Sequence, residues 1–149
     1  MLGTLLAPER SDAAAFTPGN LAVLRVGEGA AALSSASTAA FIEEYATAGG
    51  LVVQILGIPA TGATKLTLSG TATSEGALTR SPGGALLCFA GYQADSGTAA
   101  VVGSTSAVIP REVGIMDASG AFSVAAATAT QFSGSNIRSG VVDGAGNFW

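Results

Sequence analysis

Gly76-Ala77-Leu78-Thr79-Arg80 runs into Ser81-Pro82-Gly83-Gly84 and then into Ala85-Leu86-Leu87-Cys88-Phe89-Ala90-Gly91-Tyr92. Proline presets φ at the second position of a turn, and glycine admits positive φ after it. β-prone residues flank the turn on both sides, so the stretch predicts a β-hairpin.

The same grammar recurs along the chain. Ala40-Phe41-Ile42-Glu43-Glu44-Tyr45 and Leu51-Val52-Val53-Gln54-Ile55-Leu56 enclose Ala46-Thr47-Ala48-Gly49-Gly50. Glu112-Val113-Gly114-Ile115-Met116 and Ala121-Phe122-Ser123-Val124 enclose Asp117-Ala118-Ser119-Gly120. Ile137 to Val142 turns at Asp143-Gly144-Ala145-Gly146 toward Asn147-Phe148-Trp149. Single strands are expected over 21–27, over Lys65-Leu66-Thr67-Leu68-Ser69, which alternates at period two, and over Thr98 to Val102. Two Ala-rich tracts compete with helix. Ser and Thr density and the missing apolar stripe favour a loop at 28–40, while Thr alternation and the lack of cap signals favour strand or loop at 125–130.

Composition narrows the chemistry. The 149 residues are 48% apolar but only 11% charged, which argues against intrinsic disorder. The six cations, Arg10, Arg25, Lys65, Arg80, Arg111 and Arg138, are scattered singly, and the net charge is -4, so no phosphate-neutralising patch for nucleic acid is expected. With no His, a Ser-His-Asp triad and a His-metal cluster are excluded within this chain. Cys88 is alone and sits in an apolar run, so it reads as a buried core residue. No window approaches roughly 18 uninterrupted apolar residues, so no membrane-spanning helix is expected. Met1-Leu2-Gly3-Thr4-Leu5-Leu6-Ala7-Pro8 lacks a basic n-region and does not read as a complete signal peptide.

The hairpins repeat in kind. The turn from Tyr45 to Leu51 matches the one from Asp117 to Ala121, and that from Ser81 to Ala85 matches that from Asp143 to Phe148. The predicted organisation is therefore an N-terminal segment, 1–15, and a repeat region, 16–149, in approximate units 16–92 and 93–149.

Thr79-Arg80-Ser81-Pro82-Gly83-Gly84-Ala85-Leu86-Leu87-Cys88-Phe89 resembles the Ser-Pro-Asp-Gly hairpin of bacterial β-propellers of the WD-like and YVTN types, with Gly83 standing in the Asp place. Phe16 to Gly27, Gly70 to Arg80 and Phe132 to Ser139 resemble uncharacterised secreted bacterial β-propeller proteins. Those chains are much longer, so the resemblance is to their N-terminal part. It implies an all-β, propeller-like array of short antiparallel hairpins, two to three blades and incomplete. It implies no activity.

Several polar residues stand out. Glu75 and Arg80 flank strand 76–79, and Asn136 and Arg138 occupy the matched place in the second unit. Such residues either tie blades together through strand-end hydrogen bonds or line a binding face; these four are the candidate ligand-binding residues. Asp117 and Asp143 read as Asx turns, since neither turn supplies the several oxygens that calcium needs. Glu43-Glu44, whose side chains point to opposite faces of a strand, reads as a solvated strand edge. No metal, cofactor or catalytic residue is expected.

The expectation is a non-catalytic extracellular structural or interaction module of propeller type, secreted or at the cell surface, with a protein or glycan partner. Open sheet edges template pairing, so a homo-oligomer through those edges is expected. Two other readings stay open. One is a glycan-active hydrolase or lyase with carboxylates, such as Glu75 and Asp117, meeting at a propeller mouth. The other is a self-assembling filament or surface-layer subunit.

Overall fold

The computed structural model describes residues 13–143 and 145–149. Most of the predicted N-terminal segment, including Met1 to Pro8, lies outside them.

The described residues form nine strands and no α-helix. They are β1 (Leu21–Val26), β2 (Ser37–Thr38), β3 (Ala40–Tyr45), β4 (Val52–Gly57), β5 (Leu68–Ser69), β6 (Thr79–Arg80), β7 (Leu86–Tyr92), β8 (Arg111–Asp117) and β9 (Phe122–Thr128). They make three small antiparallel sheets, ordered β1-β3-β4, β2-β5 and β6-β7-β8-β9. No propeller is identified among them.

The turn residues explain the hairpins. Between β3 and β4, Gly49 and Gly50 both hold positive φ, where a side chain would be strained. Between β6 and β7, Ser81 closes the turn twice, by its N–H to Leu86 O and by accepting Leu86 N–H on its Oγ. The last hairpin is minimal: Val142 bridges Phe148, and Val141 and Trp149 exchange backbone hydrogen bonds.

The three-stranded and four-stranded sheets face each other across the main core. Ala40, Ile42 and Leu56 from the first meet Phe89 and Met116 from the second, with Leu66 and Leu68 between. Each fully buried Ile, Leu, Phe or Met side chain contributes roughly 1.5–3 kcal/mol. A second cluster, Ala90, Tyr92, Ala94, Val101 and Ile137, packs on the opposite face of the four-stranded sheet. Its central strand β7 is buried on both faces, which is why it reads as an almost continuous apolar run rather than an alternating one. Cys88 in its middle is fully buried, and burial pushes its thiol pKa up.

Three expectations need correction. Thr98 to Val102 is no strand. Val101–Gly103 is a 3-10 turn entered through Ala100 in the left-handed region, at φ 48°. Val101 is drawn into the second cluster, and a straight strand would carry it past that cluster. The strand expected over 65–69 shortens to Leu68–Ser69, with Thr67 bridging Tyr92. Glu43 and Glu44 are not a solvated edge. β3 is the central strand of its sheet, and both carboxylates are buried, Glu44 to 1% exposure. They do point to opposite faces.

Candidate functional site

β3 lies between β1 and β4, so Glu44 faces the interior and must be satisfied there. Its Oε1 accepts Thr17 N–H at 2.8 Å and Asn20 Nδ2 at 2.7 Å, and its Oε2 accepts Gln54 Nε2 at 2.6 Å. Burial pushes the Glu44 pKa up, but the bonds from Gln54, Thr17 and Asn20 outweigh it and hold the carboxyl below its ordinary value. These bonds lay residues 14–20 across the gap between the two large sheets, where Phe16 N–H also bonds Ala118 O.

That strap forms one wall of a groove of about 480 Å³. Leu78, Leu86, Leu87 and Met116 give it an apolar floor opposite Phe16, and Arg80 lines it from β6. The size is that of a small-ligand or peptide site. Arg80 is exposed, and its Nε reaches Gly84 O at 3.4 Å. Gly84 holds positive φ, which favours glycine there, and a Cβ on it would displace the Arg80 guanidinium, the mobile end of an exposed side chain. Among the described residues, Arg25 pairs with Glu43 and Lys65 with Asp95, while Arg111 is fully buried. Arg80 and Arg138 have no such carboxylate partner among the described residues.

The four candidate residues part company. Glu75 and Asn136 meet: Asn136 Nδ2 donates to Glu75 Oε1 at 2.6 Å. Tyr92 Oη donates to the same oxygen, and Ser69 N–H donates to Oε2 at 3.0 Å. This cluster ties β5, β7 and the 136–139 segment together, the first of the two roles weighed for such residues. Arg80 lines the groove. Arg138 is exposed, with its carbonyl accepting Ala77 N–H.

The Glu75–Asp117 combination does not form. Glu75 bonds Tyr92, at one end of β7, while Asp117 pairs with Leu86 at the other. The ends of that seven-residue strand lie roughly 20 Å apart, against the roughly 5–9.5 Å between glycosidase carboxyls. Asp117 is an Asx turn: its Oδ1 accepts Ser119 N–H at 2.8 Å and Ala121 N–H at 3.0 Å. Asp143 repeats the pattern with Ala145 and Asn147.

Sequence reasoning missed two buried charges. Arg111 is fully buried, stacks 4.8 Å from the centre of the Tyr92 ring, and donates to the carbonyls of Ile109, Val102, Ser104 and Ser135. It gathers the 101–110 loop onto β8. Glu112 on the opposite face is 1% exposed, and its Oε2 has no partner among the described residues. Burial pushes its pKa up to about 7, opposed by Lys65. Nothing in the local sequence marks either residue, because an Arg-Glu pair at a strand start normally reads as solvated.

The outward face of the three-stranded sheet is apolar. Leu21, Val23, Val52, Val53 and Ile55 are all exposed on it. Its charges are joined: Arg25 Nε donates to Glu43 Oε1, Tyr45 Oη donates to Glu43 Oε2 at 2.6 Å, and the Arg25 guanidinium lies 4.3 Å from the centre of the Phe41 ring. Bonding from Tyr45 lowers the Glu43 pKa against its burial, and the Arg25 bond and charge lower it further.

No protein-family pattern matches the chain. No curated protein matches it, and no solved structure does.

Proposed function

We propose that this chain is a non-catalytic interaction module of β-propeller type, secreted or at the cell surface, whose recognition element is the groove between its two large sheets. The observation that carries the reading is the groove itself, a largely apolar channel in which Glu44 and Asp117 are held by hydrogen bonds and Arg80 has no carboxylate partner among the described residues. The nearby carboxylates support the non-catalytic part. Glu44 and Asp117 are each held as acceptors by several donors, and both pKa values are lowered, which suits structural anions rather than a proton donor. The propeller part is supported by the hairpin resemblance and by the order β6-β7-β8-β9, a sequential four-stranded meander such as a blade requires.

An apolar channel with a lone guanidinium suits an extended apolar segment carrying a carboxylate. The test is a titration with acetyl-Leu-Val-Leu bearing a free C-terminal carboxylate, and with its C-terminal amide, followed by amide chemical shifts. The expected result is that the acid shifts Leu78 to Leu87, that the amide does so far more weakly, and that Arg80→Ala removes the difference. Equal responses to acid and amide, or none, would overturn the reading.

A further inference from the structure

We infer that the outward face of the three-stranded sheet is a contact between two copies of this chain, stacked face to face. The register defines the surface. Val23, Glu43 and Ile55 form one row across β1, β3 and β4; Leu21, Tyr45 and Val52 form the next; Arg25, Phe41 and Gly57 form the third. The bulge between Glu44 and Tyr45 turns Val53 outward as well. Val23 and Ile55 are each 44% exposed, Val53 50% and Leu21 57%.

A contiguous exposed apolar patch of several hundred Å² is often a contact surface. A second copy fits it for two reasons. The first is charge. Among the described residues, the one cation and the one anion on the face, Arg25 and Glu43, neutralise each other within one chain, so an identical face meets no unpaired charge. A basic or acidic partner would find no opposite charge to meet. The second is size. Half-exposed aliphatic residues of this number offer on the order of 500 Å² per face, and two such faces reach the roughly 1,000 Å² that marks a specific contact. Sheets of this kind pack about 10 Å apart with side chains interdigitated. The contact centres on Val23, Val53 and Ile55, while Leu21 at its margin also lines the groove.

Two copies each carry a net charge of -4, so added salt should strengthen their association. Sedimentation velocity on the full chain from about 5 to about 500 µM, at low and high salt, reads the mass. The expected result is a shift from 14.4 kDa toward twice that value, favoured by salt. Val23→Lys and Ile55→Lys each place an ammonium beside Glu43, which the isolated fold tolerates and a dry contact does not. Each should weaken association at least tenfold, while Ala99→Lys, exposed and outside this sheet, should not. Val53→Thr, nearly isosteric and equally suited to a strand, should weaken it several-fold and serves if a lysine unfolds the sheet. A monomer at every concentration would overturn the inference. So would a dimer indifferent to the face substitutions, which would instead place the contact at the strand edges.

Discussion

Asn136 and Glu75 are 61 residues apart in the chain and joined by a 2.6 Å hydrogen bond. The carboxylate also takes the Tyr92 hydroxyl and the Ser69 amide, so one side chain fixes three segments. These are charge-assisted bonds, stronger than neutral ones.

Asn136→Ala should therefore cost about 1–2 kcal/mol in urea unfolding, and Glu75→Ala about 2–3 kcal/mol, because it strands a tyrosine hydroxyl and a backbone amide. The double variant should fall short of the sum, since both changes break the same bond. Additive losses would show that the two residues act separately.

Arg111 is held by carbonyls from three places, Val102 and Ser104, Ile109, and Ser135. An ammonium cannot reproduce that planar fork. Arg111→Lys is expected to cost about 3 kcal/mol and to loosen residues 101–110, which hydrogen exchange would detect as lost protection there. Unchanged exchange in that loop would contradict the role given to the guanidinium.

Glu112 governs the pH dependence near neutrality. Burial raises its pKa from 4.5 to about 7, so the folded state binds its proton more tightly than the unfolded state. Stability must then fall as pH rises from about 4.5 to about 7. Urea midpoints measured across that range should decline in the natural chain, whereas Glu112→Gln should flatten the decline and be the more stable protein above pH 7. A rising profile would refute the assignment.

Glu43, Glu44, Asp117 and Asp143 act in the opposite direction. Their pKa values are lowered, so the stability they contribute is present above their ordinary values and lost as pH falls through the lowered ones. Together with Glu112 this predicts maximal stability near pH 5, with a fall on either side. Asp117→Asn, which keeps an acceptor oxygen without the charge, should blunt the acid limb. An acid limb identical to that of the natural chain would show that the turn carries none of it.

The hairpins at 40–56, 79–92 and 111–124 were legible because turn chemistry is local: Gly49-Gly50, Ser81-Pro82 and Asp117 act on residues within five positions of themselves. The polar cluster was half legible. Glu75, Arg80, Asn136 and Arg138 could be named from their repeated placement, but a repeat does not say which members touch. Glu75 and Asn136 met, while Arg80 turned to the groove. The groove itself needs the 14–20 strap, and that strap is set by Glu44, a residue whose neighbours in sequence suggest solvent.

Sequence by itself determined the all-β character and the bends, since glycine, proline and aspartate constrain φ and backbone amides wherever they stand. It also determined that Cys88 would be buried, through the apolar run around it. Tertiary structure alone decided strand order and hence the fate of the charges. β1 closes on β3 from the side opposite β4, which makes a Glu-Glu pair central, and packing on both faces of the central strands β7 and β8 drives Arg111 and Glu112 inside. Burial depends on which distant segment lies alongside a residue, and such pairing leaves no trace in the residues next to it.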